Sequence, residues 1–222
     1  MAFQKLTTKK ATALSPQIVT MIVDDSGSMS GAKADEVTKA MQDLVTTMQA
    51  SNQGSTGYRF LLNIAKFGSS TIPLAEAARP ETVAMDQLVF TGDSGGTEMP
   101  EALTWASEAL KKALAECKNI ANYAEEGSPN PLVVFFSDGA NTGGDVGAPA
   151  QALKSIPFTG GPIDVVAVGI GMDQKDFPVM EQIASRADLA VNIDPSQLAE
   201  FLADVGATVL RSESPRALID KY

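Results

Sequence analysis

Between Val23 and Gly31 the chain reads Asp24-Asp25-Ser26-Gly27-Ser28-Met29-Ser30, so an oxygen-bearing side chain recurs at every second position after an apolar run. In extended backbone, residues two apart face the same way. Asp24, Ser26 and Ser28 can therefore bring their oxygens onto one small hard cation at the end of a strand. Magnesium takes such oxygens octahedrally and keeps several waters. Two of the three groups are neutral hydroxyls, which leaves the cation's charge partly uncompensated and able to attract an outside carboxylate. Asp25 is one step out of phase and is expected to face away, toward solvent or a local backbone contact.

The elements that must position these groups follow from the apolar pattern. Ile18 to Val23 reads as a strand, and Ala32 to Gln49 as a helix with Val37, Met41, Leu44, Val45 and Met48 on its core face. Tyr58 to Phe67 and Thr71 to Leu74 read as strands joined by a tight Gly68-Ser69-Ser70 hairpin. After a looser stretch from Pro80 to Phe90, Pro100 to Cys117 reads as a helix, with Pro100 tolerated only near its start and Trp105 packing inside. Leu132 to Phe136 and Ile163 to Ile170 are continuous apolar runs, as expected of parallel strands covered on both faces. Helices are expected around Pro149 to Ser155, Gln174 to Ser185 and Ser196 to Leu210, with a last strand over Leu189 to Ile193.

This alternation predicts an α/β fold: a doubly wound, mostly parallel central sheet with helices on both faces and one antiparallel edge strand. The expected organisation is an N-terminal extension over 1–16, one domain over 17–210 and a loose tail over 211–222. Such folds bind ligands outside the carboxyl ends of their strands. Three segments fall at such places: the loop after Val23, Gly95-Gly96-Thr97 before a helix, and Ser137-Asp138-Gly139 after Phe136.

Bulk composition narrows the chemistry. At 222 residues with 44% hydrophobic and 20% charged side chains, the chain is an ordinary globular one with room for one sizeable core. The net charge of −10, from 17 basic and 27 acidic residues, argues against nucleic acid or an anionic membrane as partner. With no histidine in the chain, Ser-His-Asp triads and histidine-ligated zinc are excluded. The single cysteine, Cys117, cannot form an intramolecular disulfide and has helical surroundings. Neither a signal peptide nor a run of ~20 apolar residues is visible, and a cytoplasmic location is expected.

Taken together, the three segments resemble the von Willebrand factor type A (vWA) domain and its metal-ion-dependent adhesion site, or MIDAS, written Asp-x-Ser-x-Ser, then a distant Thr, then a distant Asp. Asp24-Asp25-Ser26-Gly27-Ser28 matches the first element, Thr97 the second and Asp138 the third. The resemblance implies that Ser26 and Ser28 ligate the ion directly and Thr97 in one conformational state, with Asp24 and Asp138 acting directly or through water. It also implies that an acidic side chain of a partner protein fills the open position. The ion would be Mg2+, with Mn2+ or Ca2+ as substitutes. Asn130 to Gly139 is similar to the bacterial intracellular branch that includes the tellurium-resistance (TerY-type) proteins. That branch implies a stress-response setting and a kinase, phosphatase or ATPase as partner.

The leading expectation is therefore a metal-dependent protein-binding module and not an enzyme. A metal-dependent hydrolase or phosphatase is the alternative, with Asp24 and Asp25 as nucleophile and acid. Against it, aspartyl phosphatases resemble Asp-x-Asp, whereas Ser26 stands two after Asp24. A nucleotide site at Gly169-Ile170-Gly171 is weaker still, because Gln174 replaces the third glycine and no Gly-Lys-Ser/Thr sequence occurs. Asn141 and Thr142 follow Asp138 closely and are given no ligand role.

Overall fold

The computed structural model describes residues 9–52, 59–211 and 213–222. Six strands, β1 (Gln17–Asp24), β2 (Phe60–Phe67), β3 (Thr71–Ala78), β4 (Leu132–Ser137), β5 (Asp164–Ile170) and β6 (Ala190–Ile193), form one sheet in the order β3-β2-β1-β4-β5-β6. Every pairing is parallel except β2 with β3, which is antiparallel. The predicted doubly wound sheet with one antiparallel edge strand is thus the observed one.

Side-chain alternation divides each central strand between two cores. Val19, Met21 and Val23 of β1 face one side, where α1 (Ala32–Asn52) and α5 (Leu198–Arg211) pack. Ile18 and Ile22 face the other, beneath α2 (Met99–Lys118), α3 (Gly147–Lys154) and α4 (Pro178–Ile183). Because both faces are covered, all eight β1 residues and all six β4 residues are buried. A fully buried Phe or Leu stabilises the fold by roughly 2–3 kcal/mol relative to exposure, so Phe135, Phe136 and Leu62 are major contributors. The predicted core stripe of α1, Val37 to Met48, is buried at every named position.

Several boundaries differ from the sequence reading, each for a physical reason. β3 runs on to Ala78 through a bulge at Ala77, whose φ is +43°. Buried Asn63 sustains it, accepting from Ala77 N–H at 2.8 Å while donating to the Thr20 hydroxyl at 3.0 Å. α4 starts only at Pro178, since residues 174–177 form a turn. Trp105 is half-buried rather than inside, with its indole N–H donating to Glu76 at 3.0 Å. The Gly169-Gly171 turn is closed on itself, since Asn192 bonds both Met172 N–H at 3.0 Å and Met172 C=O at 2.7 Å. The expected strand start at Tyr58 and the first half of the N-terminal extension lie outside the described residues.

The tail after α5 is not loose. Ser214 caps a helix α6 (Pro215–Ile219), Leu218 is fully buried, and the Tyr222 ring meets Phe201 edge-on at 5.1 Å. Lys221 and the Tyr222 hydroxyl both donate to Asp204 on α5, at 2.6 and 3.1 Å.

The strand order reverses between β1 and β4: from β1 the chain winds outward to β2 and β3, then returns to β4 and winds the other way. The crevice beyond the carboxyl ends of those two strands is where open α/β sheets bind ligands. Asp24 is the last residue of β1 and Asp138 follows the last residue of β4.

Candidate metal centre

Asp24, at the tip of β1, is fully buried. Its Oδ1 accepts from the Ser26 N–H at 2.8 Å and its Oδ2 from the Ser137 hydroxyl at 2.5 Å. Burial pushes the Asp24 carboxyl above its ordinary value, and the nearby Asp138 carboxylate adds to that rise while the serine hydrogen bonds oppose it. Two carboxylates that repel one another at a strand terminus favour a cation between them.

The chain then turns instead of remaining extended. Ser26 has φ −66° and ψ 169°, and Gly27–Met29 form one 3-10 turn closed by Met29 N–H to Ser26 C=O at 2.9 Å. This turn, not strand alternation, brings Ser28 back toward Ser26, and their hydroxyl oxygens lie 3.2 Å apart. Met29 anchors the turn, since its side chain is buried in the core against α1. Ser28 remains exposed. Its hydroxyl donates to Asp138 Oδ1 at 2.6 Å, joining the two ends of the motif across 110 residues.

Thr97 enters from the loop before α2. Its N–H donates to the Thr142 hydroxyl at 2.8 Å, and the Thr142 N–H returns a bond to Thr97 C=O at 3.0 Å. Asn141 accepts from the Met99 N–H at 3.3 Å and so holds the start of α2. A methyl group placed on Gly139 would lie 3.5 Å from Ser28 Oγ and 3.7 Å from Thr97 Oγ1. The two hydroxyls therefore border one small cradle floored by the Gly139 backbone.

These oxygens fit a small dication. Adjacent ligands of an octahedral magnesium lie about 3 Å apart, given metal–oxygen distances of about 2.1 Å. The Ser26–Ser28 and Ser28–Asp138 separations of 3.2 and 2.6 Å bracket that edge. Among the described residues, no three carboxylate or thiol groups converge as a metal cluster. A cation at this site would thus depend on hydroxyls as well as on Asp24 and Asp138.

Asp25 faces the other way, as expected, but it is fully buried and not solvated. Its Oδ1 accepts from the N–H groups of Thr91 and Gly92, both at 2.7 Å. Its Oδ2 accepts from Ser94 Oγ at 2.8 Å and pairs with Lys66 Nζ at 3.0 Å. Burial by itself would raise this carboxyl, but the bonds from Gly92, Ser94, Lys66 and Thr91 hold it below its ordinary value. The carboxylate thereby pins the loop leading to Thr97 against the loop after β1. Gly92 is required there: its φ is +66°, and a Cβ would stand 2.3 Å from Ser30 N. With both oxygens engaged, Asp25 has no geometry for the general-acid role that a phosphatase would ask of it.

The structure thus gathers Ser26, Ser28 and Asp138 directly, with Asp24 beneath them and Thr97 across the Gly139 cradle. Two contributors escaped the sequence reading. Ser137, named only as part of the segment after Phe136, donates its hydroxyl to Asp24. Lys33, five residues after Ser28 in the first turn of α1, carries no motif signal, and its ammonium donates to Asp138 Oδ2 and, at 3.3 Å, to the Ser28 carbonyl. Only the apolar run ahead of Ser137 and the odd placing of a lysine at a helix start could have flagged them.

Solved structures with the same fold include the open conformation of the pilus adhesin SpaC from Lactobacillus rhamnosus GG, at TM-score 0.67 and 16% identity, covering 91% of this chain and 31% of that one. Proximal thread matrix protein 1 from the mussel byssus, with a zinc-occupied MIDAS motif, matches at TM-score 0.61 and 17% identity over 91% of this chain and 48% of that one. The vWF domain of the type V pili tip protein Mfa5 from Porphyromonas gingivalis matches at TM-score 0.59 and 12% identity, covering 90% and 97%. This chain spans about half of the mussel protein and about a third of the adhesin. At such identities these likenesses concern the fold alone. The family model for the von Willebrand factor type A domain matches residues 19–204, most of the chain, and the protein belongs to that family.

Proposed function

We propose that this domain is a protein-binding module that docks an acidic side chain of a partner on a divalent cation held by Asp24, Ser26, Ser28, Thr97 and Asp138, with magnesium the expected ion. The observation that carries the reading is the spacing of Ser26, Ser28 and Asp138 oxygens at octahedral-edge distance, with Ser28 at the surface. A cation bound there would supply Lewis acidity toward an outside carboxylate. Ser26 and Ser28 contribute neutral oxygens, so fewer anionic groups compete with that carboxylate at the cation. Asp24 holds the loop through Ser26 N–H and Ser137, and Thr142 holds Thr97. The zinc-occupied MIDAS of the mussel protein supports a dication on this fold, and the adhesin and matrix-protein relatives support a binding role.

Binding is favoured over hydrolysis because Asp25, the acid that catalysis would need beside Asp24, is turned away and fully hydrogen-bonded. We place the module in the cytoplasm, in a stress-response or signalling assembly like those of the tellurium-resistance branch, with a kinase, phosphatase or ATPase as partner. The likeness of Asn130 to Gly139 to that branch supports this setting, as does the single, buried Cys117. Among the described residues, no helix is long and apolar enough to cross a membrane.

The test is calorimetric titration of the chelator-treated protein with MgCl2 and MnCl2, alone and with a glutamate-containing peptide. Saturable binding is expected in the wild type and is lost in Asp138→Ala and in the Ser26→Ala, Ser28→Ala pair, with circular dichroism unchanged. A folded wild type that binds neither ion under either condition overturns the reading.

A further inference from the structure

We propose that Lys33 is a resident cation of this site, whose ammonium competes with the divalent ion for Asp138 and thereby makes ion binding depend on a partner's carboxylate. The inference rests on the metal-binding reading above and adds to it a residue outside the Asp-x-Ser-x-Ser, Thr and Asp motif.

Three observations carry it. Lys33 Nζ donates to Asp138 Oδ2 and to the Ser28 carbonyl at 3.3 Å, while Ser28 Oγ occupies Asp138 Oδ1 at 2.6 Å. The Asp138 side chain is left 1% exposed, against 31% for Lys33, so the ammonium lies over the one motif carboxylate that comes from β4. Third, Lys33 is in the first turn of α1, where the helix dipole disfavours a cation and where Asp35 is the residue that suits it. The orientation of Lys33 is therefore explained by Asp138 and not by its own helix.

The charges show what this does. Asp24 and Asp138 together carry two negative charges when ionised, and Lys33 cancels one. A dication added beside Lys33 leaves the cluster with a net positive charge, whereas without Lys33 it would be neutral. The positive surplus weakens the ion's hold on the free domain and strengthens the attraction for an incoming carboxylate. By linkage, that carboxylate must raise ion affinity by the same factor as the ion raises affinity for the carboxylate. Lys33 thus biases the domain toward binding ion and acidic partner together.

The experiment is calorimetric titration of MnCl2 into chelator-treated wild type, Lys33→Gln and Lys33→Arg, paired with thermal unfolding in EDTA. Glutamine keeps a donor but removes the charge, and arginine keeps the charge. For Lys33→Gln we expect Mn2+ affinity up to about fivefold higher than wild type, the scale set by loss of one partly exposed ion pair. Lys33→Arg should stay near wild type, and Lys33→Gln should melt lower in EDTA because Asp138 loses its counter-ion. If wild type binds Mn2+ and Lys33→Gln binds it equally or more weakly, the role of Lys33 falls while the metal site stands. If neither protein binds Mn2+, alone or with a glutamate-containing peptide, both fall.

Discussion

Asp25 and Lys66 form a buried ion pair, Oδ2 to Nζ at 3.0 Å, immediately beside the candidate metal centre but turned away from it. The pair joins the end of β1 to β2 and, through the three further bonds to Thr91, Gly92 and Ser94, fixes the loop that carries Thr97. The acid adjacent to Asp24 is thus a structural group, and its removal tests that role separately from metal binding.

Asp25→Ala should destabilise the domain by about 3 kcal/mol or more, the usual cost of removing one partner of a buried ion pair. Asp25→Asn should cost less, because an amide still accepts from backbone N–H groups. Urea denaturation of the two variants gives the comparison, and equal stability to wild type would contradict the assignment.

Thr142→Val should leave the fold intact but loosen Thr97, whose N–H and C=O both bond to Thr142. Residues that orient metal ligands change affinity by about 10–100-fold when removed. The measurement is Mn2+ affinity by calorimetry beside an unchanged circular dichroism spectrum.

Gly139→Ala isolates the cradle itself. The added methyl meets Ser28 Oγ and Thr97 Oγ1 only at ordinary contact distance, 3.5 and 3.7 Å, so stability should change by no more than about 0.5 kcal/mol. It would nevertheless fill space between two proposed ligands. Ion affinity should drop with thermal stability held, and a variant that binds Mn2+ like wild type would remove Gly139 from the site.

Cys117 is fully buried within α2, and burial pushes its thiol up to about 12, with Glu116 and Glu125 adding to the rise. The native thiol should therefore resist iodoacetamide and disulfide reagents at neutral pH, reacting only at the rate of unfolding. Rapid native labelling would show that α2 opens locally.

Docking of α6 should be read in both packing and pH. Leu218→Ala removes a fully buried side chain and should cost about 2–5 kcal/mol. The Lys221 hydrogen bond, then that of the Tyr222 hydroxyl, holds the Asp204 carboxyl below its ordinary value. A carboxyl depressed in the folded state stabilises above its unfolded pKa and loses that stabilisation as pH falls through the folded one. Lys221→Ala should accordingly narrow its gap to wild type on acidification, with an effect at neutral pH of about 1 kcal/mol or less, since both groups are substantially accessible.

The sequence by itself determined the layer architecture and the order of its parts. Continuous apolar runs at Ile18 to Val23 and Leu132 to Phe136 could be buried only in a doubly covered sheet, and the α1 stripe could face only the core. It also named the five oxygen-bearing residues near the β1–β4 crevice, Asp24, Ser26 and Ser28 from their spacing after an apolar run, and Thr97 and Asp138 from the resemblance of the three segments to the MIDAS motif. What tertiary structure decided was which polar groups meet. The 3-10 turn that folds Ser28 back, the pairing of Asp25 with Lys66, the reach of Lys33 to Asp138 and the docking of Tyr222 on Phe201 have no local signature. Periodicity reports whether a face is buried, averaged over an element. A single carboxylate finds its partner across distant chain segments, and that choice is made only once strand order and register have set the distances.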